Sequence, residues 1–148
     1  MRVGRLSLAA AIAVLGALVF TAGAQACSCA PMAPADAMRQ ADAAIVGRLV
    51  EVVPRSRARA DYRYRVRRVY RGAAAIERGD VISVRSARST AACGLPRRQN
   101  SPVGLFLLLD GRRWTAGACS MIAPHQLRMA TRVAGESEIP PAGHSCAS

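Results

Sequence analysis

The sharpest alternation of apolar and polar positions runs from Asp61 to Tyr70 (DYRYRVRRVY). Tyr62, Tyr64 and Val66 fall on one side of a strand, and Arg63, Arg65 and Arg67 on the other. Arg68-Val69 breaks the phase, as a bulge does, and Arg71-Gly72 ends the run. A second strand is predicted over Ile45–Val53, where β-branched residues dominate and Gly47 marks a bulge or bend. Pro54–Ala60 between the two is a polar loop. Gly79-Asp80 is a turn leading into a third strand, Val81–Val84. Leu105–Leu109 is a fourth, buried strand. Asp110-Gly111 is a hairpin turn, and Arg112–Ala118 returns as the fifth. Ala35–Ala44, rich in Ala, Met, Arg and Gln, predicts a helix, and Pro124–Val133 a second one. The prolines in Cys27–Pro34 make that stretch extended. Gly135–Ser148 is polar and reads as a loosely held tail. Five short strands with helices near the ends predict a mainly β fold, a small closed barrel of the OB type. Strand counting alone leaves a sandwich open.

The first 26 residues stand apart from this pattern. Arg2 and Arg5 precede an uncharged apolar run, Leu6–Phe20, and Ala24-Gln25-Ala26 has the small-x-small form cut by a signal peptidase. The run is short for a membrane span and no basic stop-transfer cluster follows it, so residues 1–26 are expected to be a cleaved signal peptide. The mature chain then starts at Cys27, has no transmembrane segment, and is secreted or periplasmic. Lipid attachment at Cys27 ranks behind, because Ala24-Gln25 is a poor lipoprotein box. The domains expected are the signal peptide 1–26, one folded domain 27–134 and the tail 135–148.

All five cysteines (27, 29, 93, 119 and 146) lie after the cleavage point, which in an exported chain predicts disulfides. There is no CxxC pair and no HExxH, and the only histidines are His125 and His144, so no intrinsic metal site and no cofactor are expected. No nucleophile, acid and base are brought together by any motif, so no catalytic residue is expected and the protein reads as a non-enzyme. The mature part has 19 arginines, no lysine and nine acids, a formal net charge of +10. Such a surface suits polyanions or an acidic partner, although a GC-rich genome also favours arginine and alanine together. The arginines are spread along the chain without a recognition motif, which argues against nucleic acid.

Cys27-Ser28-Cys29-Ala30-Pro31 at the mature N-terminus resembles the start of the tissue inhibitors of metalloproteinases. Val81–Gly94 resembles that family's strand ending in Cys-Gly. Gly104–Cys119 resembles its hairpin closing on another cysteine, and Ala43–Val50 its first strand. The likeness covers roughly Cys27–Leu127 and is that of a single-domain member of bacterial type. It implies a netrin-like domain, an OB-type barrel with a disulfide-stapled N-terminal segment. It also implies bridges Cys27–Cys93 and Cys29–Cys119. Cys146 is then left unpaired, because the stretch in which the family's third bridge begins has Met38, Arg39 and Gln40.

The resemblance implies inhibition of a zinc metalloendopeptidase, with the Cys27 amine and carbonyl chelating the protease zinc in trans. Ser28 would face the adjoining pocket. Cys29, Ala30 and Pro31, with Ser89, Thr90, Ala91, Ala92, Cys93 and Gly94, would complete the contact ridge. The other reading is a cell-envelope or extracellular module that uses a basic barrel face and inhibits nothing. Trp114 reads as barrel core or rim, and Asp36 and Asp42 as helix-end or solvated groups.

Overall fold

In the computed structural model, which describes residues 27–72 and 74–136, the Tyr/Arg alternation becomes the 13-residue strand β2 (Arg59–Arg71). Tyr62, Tyr64 and Val66 are buried inside a barrel while Arg63, Arg65 and Arg67 are exposed, as the alternation predicts. The other strands are β1 (Ala43–Pro54), β3 (Val81–Ala87), β4 (Val103–Asp110), β5 (Arg113–Thr115) and β6 (Met121–Ile122). β1 pairs antiparallel with β2, β2 with β3, and β4 with β5, while β3 and β5 run parallel. β1 also pairs with β4, and this closes the ring. The result is the five-stranded OB-type barrel, and the sandwich is excluded. The two-residue β6 continues the β5 side of β4. Long β1 serves two neighbours by bending, and the β1–β2 register shifts at Ala44/Ile45, Val46/Gly47 and Leu49/Glu51. The bend at Gly47 and the phase break near Arg68 both fall in this shifted stretch.

Two helices flank the barrel. α1 (Pro34–Gln40) has its proline at the first helical turn, where the missing N–H costs nothing, and α2 (Pro124–Val133) repeats that device. The side chain of Gln126 accepts from the Ala123 N–H at 3.1 Å and caps α2. The core accordingly has two parts. Ile45, Tyr62, Tyr64, Val84, Leu95, Leu105 and Leu107 fill the barrel. Met38, Ala44, Val46, Tyr70, Phe106 and Leu127 pack between the helices and the outer face of β1 and β4.

Several boundaries differ from those expected. The first helix stops at Gln40 rather than Ala44, and Ala43 and Ala44 enter β1. They are small residues in a strand buried on both faces. Leu108 and Leu109 are exposed rather than buried, because β4 runs past the barrel into the hairpin. The fifth strand is three residues long instead of spanning Arg112–Ala118. Asp36 lies in the first turn of α1, paired with Arg39. Asp42 accepts from the Leu109 N–H at 2.7 Å and so ties β1 to β4. The tail begins anchored. The Glu136 N–H donates to the Thr131 carbonyl at 2.9 Å, and its carboxylate meets Arg71 at 2.7 Å. Arg71 also reaches the Met38 carbonyl at 3.3 Å.

Asp61 is the one buried carboxylate among the described residues. Burial alone would raise its carboxyl, but hydrogen bonds and charge from Arg85 and Arg55 outweigh burial and hold it below the ordinary carboxylate range. The charged form is favoured in the fold. Its stabilisation is therefore complete above the unfolded value of about 4 and is lost as pH falls through the lower folded value. Asp61→Asn is expected to cost about 1–3 kcal/mol at pH 7. In urea melts from pH 7 to pH 2.5 the gap between variant and parent should narrow only at the acid end. A gap independent of pH would show that the charge is not what Asp61 contributes.

Candidate functional site

The ends of β3 and β5 lie side by side because the two strands are parallel neighbours, with Val84 opposite Trp114 and Arg85 opposite Thr115. Each strand leaves the barrel into a short 3-10 turn, Thr90–Ala92 after β3 and Ala118–Ser120 after β5. Cys93 caps the first turn and Cys119 lies in the second, and each holds the extended N-terminal segment. Cys27 is bridged to Cys93 with Cα atoms 5.1 Å apart, and Cys29 to Cys119 at 5.4 Å. The Ala118 N–H donates to the Cys93 carbonyl at 2.7 Å, so the two turns are also joined directly.

The first turn is built to a tight tolerance. Cys93 has φ 57°, the left-handed region, and is the only non-glycine there among the described residues. Its N–H donates to the Thr90 carbonyl at 3.1 Å, the Gly94 N–H to the Ser89 carbonyl at 2.9 Å, and the Ala91 N–H to the Ser89 hydroxyl at 3.2 Å. A Cβ on residue 94 would lie 2.1 Å from the Ala87 carbonyl oxygen, so only glycine lets the chain pass. Beyond it the Leu95 N–H donates to the Ser86 hydroxyl at 3.1 Å while the Leu95 side chain plugs the barrel core. The turn is thus held on both sides of the cysteine by contacts that do not involve the bridge.

The surface that results is a ridge. Ser28, Cys29, Ala30 and Pro31 are exposed, as are Ser89, Thr90, Ala91 and Ala92. Cys27 and Cys93 are half-buried between the two runs and Gly94 is buried beneath. The Sγ atoms of Cys27, Cys93 and Cys119 lie within 4.8 Å of one another. All three are in disulfides and offer no thiolate to a metal. The Cys-x-Cys and Cys-Gly spacings are readable in the sequence. The left-handed Cys93 and the bond joining the two turns are not, since the first depends on how the turn closes and the second on strand adjacency.

The remaining polar residues lie elsewhere. His125 is exposed on α2 and lines a groove with Arg67 and Arg128, while His144 and Cys146 lie outside the described residues. Tyr64, buried in the barrel, has its phenol pushed up to about 12 by desolvation and stays neutral, accepting from Gln99 at 2.6 Å. Trp114 is half-buried against the barrel core. No described helix is long and apolar enough to cross a membrane.

The family model described as tissue inhibitor of metalloproteinase matches residues 25–138. No curated protein matches the chain.

Proposed function

The chain belongs to the tissue inhibitor of metalloproteinase family, and on that premise we propose that, once cut after Ala26, it blocks zinc metalloendopeptidases through the backbone of Cys27. The observation that carries this reading is the ridge, where an exposed Ser28–Pro31 segment is held by two bridges alongside the exposed Ser89–Ala92 turn. A catalytic zinc keeps one coordination position open for water. An α-amine and the carbonyl oxygen of the same residue close a five-membered ring on such a metal. The amine binds neutral, and with a pKa near 8 its deprotonation costs little at neutral pH. Fixing the segment beforehand removes most of the ordering entropy that a free peptide would lose on binding.

In this reading Cys27 is the chelating residue and Ser28 sends its side chain into the pocket next to the zinc. Cys29, Ala30, Pro31 and the Ser89–Gly94 turn supply the surrounding contacts. Export puts the protein where disulfides persist and extracellular proteases act. The chain does no chemistry of its own in this mechanism.

The test is a panel of zinc endopeptidases assayed with protein verified to begin at Cys27. Inhibition of at least one is expected. Replacing Ser28 by Leu should redistribute inhibition among the proteases by about 10- to 100-fold, since a pocket discriminates side-chain size by that much. Ser28→Gly should weaken all of them. Silence across the panel with a free Cys27 amine would turn the reading to a binding module that inhibits nothing.

A further inference from the structure

A cleft of about 570 Å³ opens on the flank of the barrel, on the same two strands that carry the ridge but toward the β4–β5 hairpin. One wall is the β1–β2 connection with Arg55, the floor is Asp61 of β2 with Ser83 and Arg85 of β3, and the far wall is the hairpin with Arg112, Arg113 and Trp114. The charges do not balance. Asp61 holds Arg55 at 2.6 Å and Arg85 at 3.0 Å, so one carboxylate is shared by two guanidinium groups. The side chains of Arg112 and Arg113 have no ion pair or hydrogen bond among the described residues, and both residues are exposed. Asp110, the register partner of Arg113, makes no ion pair with it. Four guanidinium groups thus face one carboxylate across a cleft that also carries an indole.

OB-type barrels take oligonucleotides or oligosaccharides over the β2–β3 face, between the β1–β2 and β4–β5 connections. This cleft occupies that place. Bases of a nucleic-acid strand stack on several exposed aromatic rings in succession. Here Tyr62 and Tyr64 are fully buried in the barrel, and Tyr70 and Phe106 are buried under the helices, leaving Trp114 as the one ring in the cleft. A single indole suits one sugar ring. Two guanidiniums beside it with no ion pair among the described residues suit the acid groups on a sugar, because each binds a carboxylate or sulfate through two parallel N–H bonds. We propose that this cleft is a binding site for an acidic oligosaccharide, separate from the ridge, with Arg112 and Arg113 gripping its acid groups and Trp114 packing on a sugar ring.

Trp114 is the only tryptophan in the chain, so intrinsic fluorescence reports on this cleft directly. The full exported protein is titrated with a heparin hexasaccharide and with an oligogalacturonate hexamer, which separate the sulfate and carboxylate forms of the ligand. Maltohexaose and a ten-nucleotide oligothymidine serve as comparisons. A saturable fluorescence change with one or both acidic sugars is expected, weakening as salt is raised. Arg112→Ser/Arg113→Ser should weaken binding about tenfold or more with an unchanged melting temperature. Arg128→Ser/Arg132→Ser removes the same charge from α2 and should stay within about twofold of the parent. Equal loss in the two double variants would reduce the effect to net charge and overturn the site. So would silence with both acidic sugars, equal binding of maltohexaose, or tighter binding of the oligothymidine. Inhibition of a zinc endopeptidase should be the same in parent and Arg112→Ser/Arg113→Ser, so the two readings stand or fall separately.

Discussion

Acetylating the Cys27 amine, or leaving Ala26 attached, is expected to abolish inhibition of a zinc endopeptidase while leaving the protein folded. Either change turns a basic amine into an amide whose lone pair is delocalised into the carbonyl and cannot bind a metal. Loss of outer-shell contacts alone lowers metal affinity about 10- to 100-fold, so losing a direct bond should cost about 10³-fold or more. The fold should not notice. Cys27 is half-buried, its sulfur remains bonded to Cys93, and neither change touches the barrel core. Inhibition constants and melting curves on the same three samples are the measurement. Inhibition should also strengthen from pH 6 to pH 8 as the amine loses its proton. An acetylated protein that inhibits as well as the free one would defeat chelation and leave the family and the barrel standing.

Removing the Cys29–Cys119 bridge by Cys29→Ser/Cys119→Ser should lower both stability and inhibition. The bridge joins residues 90 apart, but with Cys27–Cys93 intact the loop it closes runs through that bridge and is about 28 residues, worth about 3.5 kcal/mol in the chain-entropy model. Urea unfolding should show a loss of about 3.5 kcal/mol, with the β-rich circular dichroism spectrum kept, because the barrel core is packed without the bridge. Inhibition should fall with it. The exposed Ser28–Pro31 segment then hangs from Cys27 alone, and ordering it on the protease costs binding energy. A loss below about 1 kcal/mol would mean that the unfolded chain is already restrained at these points. Undiminished inhibition would mean that the segment needs no second anchor.

The strands most legible in the sequence are those with one face in the barrel and one in water. β2 is the case in point, its tyrosines inside and its arginines outside. β1 has less distinct bounds in the sequence. Ala43 and Ile45 enter the barrel while Ala44 and Val46 lie under the helices, so both faces are apolar and no alternation shows. The alanines favour helix by propensity, and packing overrides that preference. Leu108 and Leu109 look like core by composition, yet the hairpin carries them outward. A two-residue strand such as β6 has no period to detect. For the ridge, the cysteine spacing is visible but which cysteines pair is not. That followed from resemblance to a family, and the parallel placement of β3 and β5 is its physical cause.

The anchoring of Arg71 bears on what a reducing environment would do to this molecule. In the stretch where the family's third bridge begins, this chain buries Met38 among Tyr70, Phe106 and Leu127. The Arg71 guanidinium reaches from the Met38 carbonyl at 3.3 Å to the Glu136 carboxylate at 2.7 Å, linking the end of α1 to the chain leaving α2. That clasp is one hydrogen bond and one ion pair, and neither depends on a disulfide. Thiols would release the N-terminal segment from its two turns and leave the helical flank fastened. The protein is therefore divided into a part whose shape depends on an oxidising compartment and a part whose shape does not, and the proposed inhibitory ridge straddles the division, its N-terminal segment in the first and its hydrogen-bonded Ser89–Gly94 turn in the second.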